Sequence, residues 1–215
     1  RYACMPSQKV TLTVTSPGPN DGKSLISSNL ALSFAEGGWR TCLIDGDLRR
    51  GQLHTTFDLP AGPGLIEYLE GTSLLKEVVY QTHHDALALI PTGGKHRRGP
   101  ELLATPRMQQ LIAALAQDFD AIIVDTPPLG AGTDAYAIGT ATQHVAIVLR
   151  SEATDLKLAQ AKLQVLDQLP VSVIGVVLNE VKVEGSMYSY YSYDPEYALV
   201  ENAEEEEPAQ LTAGR

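Results

Sequence analysis

The chain is poor in cysteine, tryptophan and positive charge, and each shortage narrows what it is. Two cysteines among 215 residues, Cys4 and Cys42, are too few and too far apart for a disulfide framework or a zinc site. Cys42 lies inside an apolar run and reads as a reduced, buried thiol. Lysine and arginine number 16 against 26 aspartates and glutamates, a net charge of −10, which argues against general nucleic-acid binding. Much of that charge sits near the C-terminus, so the remainder of the chain is closer to neutral. No apolar run approaches the length of a membrane-spanning helix, and the N-terminus lacks the pattern of a signal peptide. Arg1 stands where an initiating methionine would, which fits a piece of a longer chain. The length suits one substantial core rather than two full domains.

What is present is a rhythm of strands and helices. Apolar runs recur at Val10 to Thr15, Thr41 to Asp45, Leu87 to Pro91, Ala121 to Asp125, His144 to Leu149 and Val173 to Leu178. They are continuous rather than alternating, the mark of strands covered on both faces. Helical patterns at Lys23 to Ala35, Pro106 to Gln117 and Thr154 to Gln168 lie between them. This order predicts an α/β fold with a mostly parallel sheet, right-handed crossovers, helices on both faces and a ligand site beyond the carboxyl ends of the strands. The folded part is expected to span residues 1–184. Residues 185–215, tyrosine-rich and then acidic, read as a flexible, solvated tail.

The first run ends in V-T-L-T-V-T-S-P-G-P-N-D-G-K-S, a strand, a Pro/Gly-rich turn and Gly22-Lys23-Ser24 opening a helix. A loop entering a helix aims backbone N–H groups at one point, where the helix dipole favours negative charge. Gly22 permits close approach, Lys23 can reach β/γ-phosphates and Ser24 can offer its hydroxyl to Mg²⁺. Pro17 stands where the usual phosphate-loop pattern has glycine. Two further runs end in carboxylates: Leu43-Ile44-Asp45-Gly46-Asp47-Leu48-Arg49-Arg50-Gly51, and Ile123-Val124-Asp125-Thr126-Pro127-Pro128. One aspartate at a strand end is commonly a cap or turn former. Several in this order, beside a phosphate loop, point to a Mg²⁺–ATP site, since phosphoryl chemistry needs cations and positioned carboxylates around a triphosphate.

These three segments resemble the Walker A, Walker A′ and Walker B motifs of the bacterial tyrosine kinases (BY-kinases) of capsule and exopolysaccharide assembly. Pro100-Glu101-Leu102-Leu103 and the tyrosine-rich C-terminus fit the same family, so the resemblance spans nearly the whole chain. It implies a P-loop NTPase-like fold of the deviant Walker type and a protein-tyrosine autokinase using ATP and Mg²⁺. By position, Asn20, Asp21, Gly22, Lys23, Ser24 and Leu25 would bind the nucleotide. Ser24, Asp45 and Asp125 would hold the metal. Lys23, Asp45 and Asp47 would act in catalysis, Asp47 orienting or deprotonating the incoming tyrosine. Asn179 is similar to the asparagine that contacts adenine in related ATPases. Partition-type ATPases carry a signature lysine where this chain has Gly18, which favours the kinase branch. The family's Glu-x-x-Arg-x-x-Arg oligomerisation motif would lie before Arg1 and leaves ring assembly open.

The cluster Tyr188, Tyr190, Tyr191, Tyr193 and Tyr197 reads as the autophosphorylation substrate, presented in trans within a homo-oligomer. Its other reading is a partner-binding, aromatic-rich strand. Each phosphate would add roughly −1.5 to −2 charges to an acidic segment and promote disassembly. The resemblance further implies a cytoplasmic domain at the inner face of the bacterial inner membrane. There it would act with a polysaccharide co-polymerase segment or partner chain and a phosphotyrosine phosphatase. Two rivals remain open: a partition or division-site ATPase without kinase activity, and a regulatory module that binds nucleotide only. Arg49, Arg50 and Arg150 are candidates for phosphate or subunit contacts, with Arg150 otherwise capping the sheet. Lys95 to Arg98 reads as a basic surface loop, His83-His84 as no metal site, and Tyr68, Tyr80 and Tyr136 as core or half-buried.

Overall fold

Unbroken Val/Ile/Leu runs dominate the middle of the sheet, and their alternate side chains feed separate hydrophobic clusters. In this computed structural model, residues 9–94 and 99–182 are described. The chain divides into two units, Arg1–Glu180 and Val181–Arg215, and the fold below belongs to the first. The basic loop at 95–98 and the five tyrosines of the cluster lie outside the described residues.

The elements run β1 (Val10–Thr15), α1 (Lys23–Glu36), β2 (Thr41–Asp45), α2 (Leu53–Thr56), α3 (Leu65–Glu70), α4 (Leu75–Val78), β3 (Tyr80–Gln81), β4 (Leu87–Ile90), α5 (Gly99–Leu103), α6 (Pro106–Asp118), β5 (Ala121–Asp125), α7 (Asp134–Thr142), β6 (His144–Arg150), α8 (Leu156–Leu166) and β7 (Ser172–Asn179). The strand order is β3-β4-β2-β5-β1-β6-β7. All neighbours pair in parallel except β3, which runs antiparallel to β4. The expected α/β sheet is therefore present. The two-residue β3 was not foreseen, being too short and polar to leave a pattern.

Three hydrophobic clusters among the described residues follow from strand pleating, one of them gathering Val145 and Ile147 of β6 with Ala135 of α7 and Leu166 of α8. Cys42, Ile44, Ile122 and Val124 face one layer with α3, α5 and α6. Leu43, Ile123, Leu12 and Val14 face the other, where α1 contributes Ala31 and Ala35. Cys42 is fully buried, and burial pushes its thiol pKa up, as an inert reduced cysteine requires. The first strand departs from a plain apolar run. Thr13 and Thr15 are buried and satisfied by α7 and the β5 exit: the Thr13 hydroxyl meets that of Thr142 at 2.7 Å, and Thr15 donates to the Pro127 carbonyl at 3.0 Å.

Three expectations change. The sixth run was read as a strand covered on both faces, yet β7 is open along nearly its whole length, Ile174, Val176 and Leu178 being 55%, 56% and 55% exposed. It is an edge strand of the sheet, as β3 is at the opposite end, and among the described residues its one strand partner is β6. α7 was missed because Gly139 and two threonines weaken its helical signal. Gly139 is there for packing: a Cβ would come within 3.1 Å of Val145 Cγ2. α8 begins at Leu156, later than Thr154, because Asp155 caps it by accepting the Lys157 and Leu158 N–H groups.

Candidate active site

The carboxyl ends of β1, β2 and β5 lie side by side, so the phosphate loop and both strand-end aspartates converge. The loop leaves β1 at Ser16 and is fixed by hydrogen bonds. Leu129 N–H donates to the Ser16 carbonyl and Gly130 N–H to that of Pro17, at 2.8 and 3.1 Å. Pro17 thus fills the glycine position while using only its carbonyl. Asn20 and Gly22 take positive φ values of 62° and 94°, conformations asparagine and glycine tolerate best. No side chain caps α1 at Gly22. Its first-turn N–H groups and positive dipole end stay available to an anion.

Asp21 holds this loop shut, a role its neighbours in sequence gave no sign of. One carboxylate oxygen accepts the Gly18 N–H at 3.2 Å, and the other accepts the Thr154 hydroxyl at 2.8 Å. Its carbonyl accepts Asn179 Nδ2–H at 3.1 Å. The carboxylate is spent on protein groups, so Asp21 positions the loop through its side chain. Asn179 packs directly behind Gly22, where a Cβ would sit 2.1 Å from Nδ2. A Gly22→Ala chain is therefore expected to lose at least about tenfold in affinity for an ATP analogue in calorimetry, because positive φ and this contact both oppose the added carbon. Leu25, in the first turn of α1, is 59% exposed beside the loop.

Lys23 and Ser24 begin α1, and Lys23 is buried. The Ser24 hydroxyl donates to Asp125 Oδ2 at 2.6 Å, while Asp125 Oδ1 is buried with no hydrogen-bond partner. Asp45 and Asp125 are register partners on β2 and β5. Asp45 accepts the Leu53 N–H at 2.9 Å and the Asp47 N–H at 3.3 Å. Burial raises the Asp45 pKa to about 7, Leu53 pulling against it; burial likewise raises Asp125 to about 6, against the Ser24 hydrogen bond and the Lys23 charge. A buried oxygen without a donor, a hydroxyl and a second carboxylate make an oxygen-only set of the kind Mg²⁺ takes.

Asp47 is half-buried and accepts the Arg49 and Arg50 N–H groups at 3.1 and 2.9 Å. Those bonds form the turn that aims its carboxylate at a cleft of ≈ 710 Å³ shared with Lys23, Ser24 and Asn20. Gly51 closes the turn against Asp45: a Cβ would lie 2.5 Å from Oδ1 and 2.2 Å from Thr92 Cγ2. This accounts for the glycine ending the Asp-x-Asp-x-Arg-Arg-Gly block. Arg49, a candidate phosphate or subunit contact, lines the same cleft and pairs with buried Asp134 at 3.0 Å. Arg150 pairs with Glu180 at 2.6 Å, beyond the end of β7. Tyr68, Tyr80 and Tyr136 are half-buried. Leu158 and Lys162 of α8 also line the cleft, and nothing in the sequence marked them.

No family model matches the chain. Among curated proteins it is 31% identical over 181 residues to the tyrosine-protein kinase CpsD of Streptococcus agalactiae, covering 84% of this chain and 79% of that protein. It is 34% identical over 187 residues to the tyrosine-protein kinase Ptk of Acinetobacter johnsonii, covering 87% of this chain. The chain spans 26% of Ptk, about a quarter of its length. Among solved structures, the kinase domain of the Escherichia coli tyrosine kinase ETK superposes with a TM-score of 0.78 at 33% identity, over 83% of this chain and 70% of that one.

Proposed function

The chain belongs to the bacterial tyrosine kinase family, and from that premise we propose that it transfers the γ-phosphoryl group of Mg²⁺–ATP to tyrosines of its own C-terminal cluster on a second copy. The observation that carries this reading is the meeting of Lys23, Ser24, Asp45, Asp47 and Asp125 at three adjacent strand ends. A site that only bound nucleotide would need no carboxylate aimed into the cleft beyond the metal set, and Asp47 supplies one.

Each residue then has a task. The first-turn N–H groups of α1 and the Lys23 ammonium hold and polarise the phosphates. Ser24 and Asp125, with Asp45 behind, would hold Mg²⁺, which would supply positive charge to offset that of the phosphates. Asp47 accepts the proton of the tyrosine hydroxyl as its oxygen bonds the γ-phosphorus and the bond to the β-phosphate oxygen breaks, releasing ADP. Asp21 and Gly51 position these groups. Asn179, packed against Gly22, would contact the adenine, and Leu25 in the first turn of α1 would complete the nucleotide-binding segment.

Among the described residues no helix is long and apolar enough to cross a membrane. We place the chain at the cytoplasmic face of the inner membrane, working with a membrane polysaccharide co-polymerase and opposed by a phosphotyrosine phosphatase. Residues 185–215 form its substrate tail. Incubation with γ-labelled ATP and Mg²⁺ should put label on tyrosine. Changing Tyr188, Tyr190, Tyr191, Tyr193 and Tyr197 to phenylalanine should remove it. Free phosphate without labelled protein would instead identify a partition-type ATPase, and neither product a nucleotide-binding module.

A further inference from the structure

The cleft in front of the phosphate loop holds more than phosphate transfer requires. Pro17 and Pro19 form one wall and Pro127 and Pro128 another. Proline rings present flat apolar faces and no N–H donors. Leu158 and Lys162 close the cleft from α8, four residues apart and so on one face of that helix. Arg50 faces the same space. Neither Arg50 nor Lys162 has an acidic side-chain partner among the described residues, whereas Arg49 beside them is tied to Asp134. Asn179 does not line this cleft; its Nδ2–H donates to the Asp21 carbonyl.

A groove with proline walls and two cations that have no acidic partner among the described residues fits a ligand that is aromatic and acidic together. The chain carries such a segment: Tyr193-Asp194-Pro195-Glu196-Tyr197, followed by Glu201 and Glu204 to Glu207. We propose that Arg50 and Lys162 are specificity residues, which select the acceptor strand of a second copy by pairing with the acidic residues around its tyrosines. The ring would lie against the prolines, bringing its hydroxyl toward Asp47 and Lys23. This rests on the kinase reading above for the purpose of docking, but docking itself is measurable without catalysis.

The test is fluorescence anisotropy of a labelled peptide of residues 188–201 against the full chain, with Mg²⁺ and a non-hydrolysable ATP analogue. The native peptide should bind about tenfold more tightly than one carrying Asp194→Asn, Glu196→Gln and Glu201→Gln, and added salt should erase the difference. Lys162→Glu or Arg50→Glu should erase it too. A peptide with Asp194→Lys and Glu196→Lys should bind the Lys162→Glu chain better than the wild type, a charge-swap rescue that a structural role would not produce. Equal binding of native and neutralised peptides overturns the proposal. So does a Lys162→Glu chain whose affinity for the ATP analogue drops by the same factor as its affinity for the peptide, which would make Lys162 a phosphate contact. Acid-selective peptide binding without tyrosine labelling from ATP would uphold the groove and remove the kinase reading.

Discussion

Lys23→Met is expected to reduce transfer of label from ATP to tyrosine by about a hundredfold or more, the scale seen when one donor to a transition-state anion is removed. The ammonium of Lys23 is buried at the head of α1 among Ser24, Asp47 and the phosphate-loop backbone. It is the positive charge that offsets Asp125, whose pKa it lowers. Methionine matches the length of the stem and keeps its packing, so the fold should persist, as circular dichroism and thermal melting would check. The loss has two sources. The γ-phosphoryl group loses a cation as charge develops on it, and ATP enters a site that has become net acidic. Labelling within roughly threefold of wild type would mean that the loop N–H groups suffice and that Lys23 is not catalytic.

Without Mg²⁺, the protein should lose stability as pH rises from 5 to 8, opposite to what most buried ion pairs produce. Asp45 and Asp125 have pKa values raised by burial from the usual carboxylate range to about 7 and about 6. For a carboxylate whose pKa is higher folded than unfolded, the native state binds more protons between the two values. The slope of unfolding free energy against pH is then negative. The associated stability is complete below about pH 4 and gone once pH passes 7, on the order of several kcal/mol for the two groups together. Thermal melts in EDTA should therefore show a midpoint that falls across this window. Asp45→Asn should flatten the fall, because asparagine stays neutral. It keeps one acceptor oxygen, enough for the Leu53 N–H or the Asp47 N–H but not both, so the melts compare the slope with pH rather than the midpoint at one pH. Adding Mg²⁺ with ATP should raise the midpoint more at pH 8 than at pH 5.5, since only the ionised pair binds the cation well. A flat profile in EDTA would show that the two carboxylates titrate as if exposed.

Legibility followed the range of the forces involved. β2 and β5 were plain because burial on both faces demands continuous apolar runs, and Asp45 and Asp125 stood out as carboxylates ending such runs. Gly22, Lys23 and Ser24 were plain because a tight turn into a helix restricts residue type locally. Asp21 was different: its carboxylate reaches Thr154, and its carbonyl is held by Asn179, pairings set by the tertiary fold alone. Gly51 was visible as part of a motif, but its reason, the nearness of the Asp45 carboxylate, is three-dimensional. α7 stayed hidden because a helix that must pack closely on β6 trades helix-forming residues for glycine and threonine. Leu158 and Lys162 look like any polar-apolar helical pair until α8 is seen beside the phosphate loop.

β1 lies near the middle of the sheet although it opens the described chain. Its neighbours are β5 and β6, so Val10 waits for Ala121 and Thr13 for Val145. The loop that follows it is complete only when Thr154 and Asn179 arrive to meet Asp21. On a ribosome adding about 5–20 residues per second, the first strand would spend several seconds without its partners. Contacts of such long sequence separation also fold slowly once the chain is whole. The nucleotide pocket is thus among the last parts of the molecule to exist, and a nascent chain stopped short of β7 would carry every Walker residue yet have no closed site in which to use them.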